Sequence, residues 1–140
     1  MASYIKYNQF MEDVYKGVHN FTSDATSSIT VALSNTAGDI AVTKATLSEI
    51  TQISYANLST RIVTNVSAEQ TNGTVALAAT DLVLTASGTV PTFQYVILYN
   101  DDPTSPADPL ICCFDYGSAV SMGSAETFTI DFPTNLFTSV

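Results

Sequence analysis

The chain has few of the residues that carry catalysis or bind nucleic acid. It has 140 residues, with no Trp, one His, two Cys, and four Lys and Arg against thirteen Asp and Glu, for a net charge of −9. Phosphate contacts come from clustered Lys and Arg, so this composition argues against nucleic-acid binding. No Ser lies in a G-x-S-x-G elbow beside the single His, and no Gly-rich phosphate loop occurs. We therefore expect a protein that is not an enzyme and needs no cofactor.

Long apolar runs are also absent, although 46% of the residues are hydrophobic. No run approaches the roughly 20 residues that a membrane-spanning helix needs, so the apolar residues should be spread over strand faces and no membrane partner is expected. The stretch from Met1 to Lys6 has no basic region followed by an apolar one. We expect the protein to be made and folded in a cytoplasm.

The two cysteines, Cys112 and Cys113, are adjacent. Neighbouring residues of a strand point to opposite faces, so the two thiols are poorly placed to bridge each other. A zinc site would need carboxylates beside His19 to complete it, because there is no second Cys pair. We predict buried, reduced thiols and no metal.

Two apolar segments, 93–99 and 110–116, predict the central hairpin of a β domain. Both are apolar at nearly every residue, which indicates strands covered on both faces. Between them, residues 100–109 contain three Pro and three Asp. Proline lacks the donor that a strand ladder needs, so this segment should form a long loop.

The aspartates of this loop offer oxygen ligands. Asp101, Asp102 and Asp108, with the nearby Asp115, could hold calcium, but their spacing does not fit an EF-hand loop and no bidentate Glu follows. Asx-turns and solvated loop tips are the favoured interpretation.

Helical periodicity appears at two places. Apolar residues recur every three or four positions between Tyr4 and Gly17, which predicts a helix capped by Ser3 or Asn8 and ended by Gly17. We expect this N-terminal segment, within residues 1–20, to pack on the β domain or on a neighbouring subunit, with His19 against the last helix carbonyls. A second, short helix is predicted over 45–53, where Thr46 precedes Glu49 in a capping-box pattern.

The remaining segments predict short strands separated by turns. Residues 29–34 alternate as a half-buried strand, Asn72-Gly73 signals a tight hairpin, and 117–124 is a Gly- and Ser-rich connection. Further strands are expected at 61–66, 74–77, 81–85 and 126–132, and residues 135–140 should form a last strand, an arm or a frayed tail. Together these patterns predict a mainly β fold: one antiparallel β-sandwich domain over residues 1–140, jelly-roll or immunoglobulin-like, with an N-terminal α-helix and one short additional helix.

Several segments, in the same order over nearly the whole chain, resemble a family of small structural proteins of tailed bacteriophages and prophages. The matching stretches are Tyr7-Asn8-Gln9-Phe10, Gly17-Val18-His19-Asn20, Val31-Ala32-Leu33-Ser34-Asn35-Thr36, Leu47-Ser48-Glu49-Ile50-Thr51-Gln52-Ile53, Tyr99-Asn100-Asp101, Asp108-Pro109-Leu110-Ile111, Asp115-Tyr116-Gly117-Ser118 and Glu126-Thr127-Phe128. The chain departs from the family at 54–57, where relatives tend to have glycines.

The resemblance implies a virion structural protein, and some relatives look like capsid decoration (cement) proteins. Such a protein would bind the major capsid protein on the outer surface of the head, and a homotrimer would multiply weak contacts through avidity. We predict that the contacts come from the terminal segments or from the acidic loop. The residues are Tyr4, Tyr7, Leu136 and Phe137 at the termini and Asp101, Asp102 and Asp108 in the loop.

Two alternatives stay open. A tail or head-completion component would share the composition but would assemble in rings. A carbohydrate-binding β-sandwich would use exposed aromatic side chains flanked by carboxylates, and the absence of Trp argues against it.

Overall fold

The computed structural model describes residues 3–21 and 29–139. Its elements in chain order are β1 (Ser3–Lys6), α1 (Asn8–Tyr15), β2 (Ile29–Ser34), 3₁₀ turns at Ala37–Ile40 and Leu47–Glu49, β3 (Ser67–Thr71), β4 (Thr74–Ala78), β5 (Leu82–Thr85), β6 (Val90–Asn100), β7 (Leu110–Met122), β8 (Thr127–Ile130) and β9 (Phe137–Ser139). The strands form antiparallel sheets in the orders β1-β7-β6-β2, β3-β4-β9 and β5-β8. This confirms the predicted mainly β, sandwich-like fold.

The hairpin of β6 and β7 is the centre of the molecule, as predicted. On one face of its sheet, Leu98 and Cys112 join the larger apolar cluster, which the smaller sheets and Phe10 cover. On the other face, Ile97 and Cys113 join a second cluster, which Tyr7 and the segment around residues 40–50 cover. Both faces are therefore buried, and each fully buried large side chain contributes about 1.5–3 kcal/mol.

The two cysteines lie on opposite faces, as the sequence indicates, and both are free and fully buried. Burial raises the pKa of the Cys113 thiol to about 11 and also raises that of Cys112. Since the thiolate is the reactive form, neither should react with a disulfide reagent in the native protein. We expect no labelling by Ellman's reagent at neutral pH and labelling of both thiols in guanidinium chloride. Rapid labelling of the folded chain would contradict this burial.

The N-terminal prediction is wrong in its first half. Residues Ser3–Lys6 form a strand that pairs with β7, with Tyr4 opposite Phe114 and Lys6 opposite Cys112. The pairing covers an edge of β7 that would otherwise leave a row of backbone groups without partners. The helix begins only at Asn8, after an extended Tyr7 whose side chain makes no cap, so neither predicted cap is used. It does end as predicted, because Gly17 adopts φ +74°.

Three other segments differ from expectation. Residues 61–66 form only an isolated bridge to β2, from Ile62 to Thr30, and Asn65 turns away with φ 53°. The predicted connection at 117–124 instead continues β7 as far as Met122. Gly117 at φ +90° lies beside an irregularity in the β6–β7 register, where a residue with a side chain would be strained. Strand β2 is buried on both faces rather than half-buried.

Two short-range signals are confirmed. Asn72 and Gly73 both have positive φ and join β3 to β4 in a tight hairpin. Thr46 and Glu49 form the predicted capping box, but the helix is a single 3₁₀ turn because Ile50 is already extended. At the C-terminus the strand alternative is the one observed, since β9 pairs with β4.

Candidate docking groove

The predicted contact residues lie in different environments. Tyr4 on β1 is 40% exposed, whereas Tyr7 is fully buried and Leu136 is 3% exposed. Phe137 is half-buried and packs edge-on against Phe10, with 5.3 Å between ring centroids. Tyr7 and Leu136 therefore belong to the core, and of the four terminal residues predicted as contacts Tyr4 and Phe137 are the ones with accessible surface.

The acidic loop is exposed at Asp101 and Asp102, and Asp108 is half-buried. The Asx-type turn at the start of this loop is made by Asn100 rather than by one of the aspartates, because the backbone N–H of Asp102 donates to Asn100 Oδ1 at 3.1 Å. Partial burial and the neighbouring Asp101 carboxyl raise the pKa of Asp108. Within residues 3–21 and 29–139, no three His, Cys, Asp or Glu side chains are arranged to hold a metal ion.

Tyr4 borders an apolar groove of about 540 Å³, which lies between the β1–β7 side of the large sheet and strand β8. Its apolar lining is mostly aromatic and consists of Tyr4, Val96, Phe114, Tyr116, Phe128, Ile130, Phe132 and Pro133. None of the aspartates of the acidic loop lines it. The structure thus brings one predicted contact residue into the groove and leaves the loop elsewhere.

The groove follows from the alternation predicted for residues 126–132. Ile130 and Phe132 are buried, while Phe128 is half-buried and packs edge-on against Phe93 at 5.2 Å and Tyr116 at 5.3 Å. Across the groove, Tyr4 packs on Phe114 with 5.5 Å between centroids. Burial raises the pKa of the Tyr4 phenol above its usual range, so the rim stays uncharged there.

Two aromatic side chains of the groove remain open to solvent, Tyr4 at 40% and Tyr116 at 47%. Large exposed aromatic side chains next to each other are typical of interaction sites. Tyr116, Phe128 and Asp131 were not predicted as contacts, because the groove arises between two sheets that are distant in sequence. The exposed aromatic Tyr116 directly after a buried run was the available signal.

Acidic side chains outnumber basic ones thirteen to four, and each of the four cationic side chains contacts a group of the same chain. Lys16 pairs with Glu12, and Lys44 Nζ donates to the Glu49 carbonyl at 3.0 Å. Lys6 Nζ lies 5.3 Å from the centre of the Phe137 ring.

The fourth cation, Arg61, stacks 3.6 Å from the centre of the Tyr55 ring, and its guanidinium also donates to the Val31 carbonyl. Of the groove residues that the structure describes, Asp131 alone is charged. With a net charge of −9 the surface is predominantly acidic, and it complements a neutral or basic partner.

His19 is a structural residue in a buried pocket. It stacks on Phe21 with an interplanar angle of 9° and packs edge-on against Phe10. Its Nδ1 lies 3.1 Å from the side-chain nitrogen of Asn100 rather than against the helix carbonyls, which corrects the predicted partner. Burial lowers the pKa of His19 to about 4, although the nearby Asp13 opposes the shift.

No helix of the described chain is long and apolar enough to cross a membrane. No family model, curated protein or solved structure matches the chain. The groove and the acidic surface are therefore the features of this chain that bear on its function.

Proposed function

We propose that this chain is a non-enzymatic structural protein of a tailed-phage or prophage virion, and specifically a capsid decoration protein. In this role it binds the major capsid protein on the outer surface of the head and stabilises contacts between capsid subunits. The observation that carries the proposal is the open, mostly aromatic groove on a molecule whose cations are all engaged internally.

This combination suits a protein that must stay soluble while free and still bind one surface tightly. A net charge of −9 keeps free copies apart, and buried aromatic anchors supply most of the binding energy of an interface. A homotrimer would present three grooves at once, so that weak contacts add through avidity. The acidic loop adds charge that a basic capsid surface would complement.

A tail or head-completion component remains the alternative within the same class. Its docking face would need the same chemistry, so the groove does not separate the two roles. Copy number separates them, since a ring contains few copies and a decorated head contains many.

A carbohydrate-binding module is a second candidate that one observation favours. Tyr4 and Tyr116 are exposed beside the Asp131 carboxylate, which is the pairing of ring and acid that a sugar site uses. The groove lining is otherwise mostly apolar, and a sugar with many hydroxyls would find few partners there. Binding on a glycan array that Tyr116→Ser abolishes would favour this candidate.

The test is the abundance and position of the chain in purified virions, by quantitative gel electrophoresis and electron cryomicroscopy. We expect copies in proportion to the major capsid protein, with density on the outside of the head. A few copies at the neck or tail would favour the tail-component alternative, and absence from the particle would overturn the proposal.

Two variants test whether the groove determines how many copies of the protein bind the capsid. Tyr116→Asp places a charge on the aromatic rim and should reduce occupancy on particles that lack the native protein. Tyr15→Asp is the matched control, because Tyr15 is 79% exposed at the end of α1 and does not line the groove. Equal loss of occupancy in both variants would exclude the groove as the docking face.

A further inference from the structure

We propose that the free edge of β8 captures an extended segment of the partner as an added strand, and that this segment alternates apolar residues with Lys or Arg. The inference rests on the proposed function only in taking the groove as the docking face. It names the chemistry of the partner segment, which the decoration role leaves open.

Within residues 3–21 and 29–139, β5 is the one strand that pairs with β8, which leaves the other backbone edge of β8 available. β8 pairs with β5 in a two-stranded sheet, with Leu84 opposite Phe128 and Leu82 opposite Ile130. The N–H of Ala86 donates to the Glu126 carbonyl at 2.9 Å, in the same register. In an antiparallel pair, backbone groups point alternately toward and away from the partner strand.

It follows that Phe128 and Ile130 direct their backbone groups toward β5, while Thr127 and Thr129 direct theirs to the open edge. Thr129 also lines the groove, and so does Asp131 two residues further along. An unpaired strand edge that borders an apolar groove is the arrangement that binds peptides by strand addition.

An added strand would place alternate side chains over the groove. Those that point inward would meet Tyr4, Phe114 and Phe132, and these positions favour apolar side chains. The others would point to solvent beside Asp131. The edge therefore favours a partner segment with an apolar residue at every second position, rather than at the three- and four-residue spacing of a helix.

The charge around the groove indicates which residues the partner segment should have at its solvent-facing positions. Among the described residues of the lining, Asp131 alone has a charged side chain. Asp81 lies close by, since its Oδ1 accepts the N–H of Phe132 at 2.8 Å. A second copy of this chain would bring another net charge of −9 to an edge that offers no free cation. A segment with Lys or Arg at the outward positions is favoured instead.

The experiment is a selection from a random library of roughly ten-residue peptides, the length of a typical strand, against the immobilised full chain. We expect enriched peptides that alternate apolar and basic residues. Their binding should weaken by about tenfold or more when salt is raised from low to high concentration.

Two variants at one site separate backbone pairing from side-chain contact. Thr129→Pro removes the exposed N–H at the open edge and should abolish binding of the enriched peptides. Thr129→Val keeps the N–H, so the enriched peptides should still bind this variant. If Thr129→Pro fails to fold by circular dichroism, Asp131→Lys serves in its place, and the same peptides should bind it about tenfold more weakly.

Enrichment of acidic peptides, of peptides without alternation, or of none at all would overturn the inference. So would peptides that bind Thr129→Pro as well as the native chain. If virions carry the protein at high copy number and Thr129→Pro leaves that number unchanged, strand capture fails while the decoration role stands. If the peptides behave as expected and the virions lack the protein, the decoration role fails while strand capture stands.

Discussion

Replacing Asp39 by Ala should lower the free energy of unfolding by about 2–4 kcal/mol, a large share of what a domain of this size has. Asp39 is only 2% exposed, and its Oδ2 accepts hydrogen bonds from Ser34 Oγ and, at 2.9 Å, from the Thr51 N–H. Alanine would remove this acceptor from the fully buried Ser34 hydroxyl and from the Thr51 N–H. Urea denaturation followed by circular dichroism measures the loss.

The effect is large because three segments meet at this residue. Ser34 ends β2, and Thr51 lies in the segment that covers the second face of the large sheet. The backbone carbonyl of Asp39 also accepts a hydrogen bond from Tyr7 Oη at 2.8 Å, which connects the N-terminal segment to the same point. Loss of the carboxylate should therefore loosen the cover over Ile97 and Cys113.

The matched control is Asp39→Asn. Its side-chain oxygen can occupy the position of Oδ2 and accept from the same two donors, so we expect less than half the loss seen with alanine. If Asp39→Asn is as damaging as Asp39→Ala, the charge rather than the acceptor geometry is what stabilises the site. A change below about 0.5 kcal/mol for Asp39→Ala would contradict the role assigned to this residue.

The sequence predicts the parts of this fold that depend on short-range patterns. The β6–β7 hairpin, the Asn72-Gly73 turn and the Thr46–Glu49 capping box are each determined by residues close together in the chain. Burial of the cysteines on opposite faces follows from the period of a strand.

The errors have a common physical cause in long-range pairing. The pattern around Tyr4 and Lys6 fits a helix as well as a strand, and only the open edge of β7, more than a hundred residues away, decides between them. The role of Asp39 likewise depends on long-range contacts, because its hydrogen-bond partners lie on two other segments. The groove joins β1, β7 and β8, so no local window of sequence could predict it.

Acid should destabilise this protein from about pH 6.5 downward, beginning above the range in which most carboxylates titrate. His19 is buried, and burial lowers its pKa in the folded chain to about 4, against 6.5 when it is exposed. Between these values the unfolded chain binds a proton that the folded chain does not. Stability is therefore fully present above pH 6.5 and is lost as the pH falls toward 4.

The hydrogen bonds around His19 explain why the folded protein resists its protonation. Asn100 Oδ1 accepts the N–H of Asp102, so the Asn100 amide nitrogen faces His19 Nδ1 as a donor. A neutral ring can accept there, whereas an imidazolium would present a second donor. Charging His19 thus conflicts with the bond that holds the start of the acidic loop, and the attraction of Asp13 offsets this only in part.

We expect a loss of about 1–2 kcal/mol in the free energy of unfolding between pH 7 and pH 5, measured by denaturant titration at each pH. His19→Gln removes the titrating group and keeps a side chain that can accept from Asn100. This variant should have a lower free energy of unfolding than the native chain at pH 7, but that free energy should change little between pH 7 and pH 5. If the free energy of unfolding of His19→Gln depends on pH as steeply as that of the native chain, the acid sensitivity belongs to another group. If the native chain shows no such dependence, His19 titrates as it does in water.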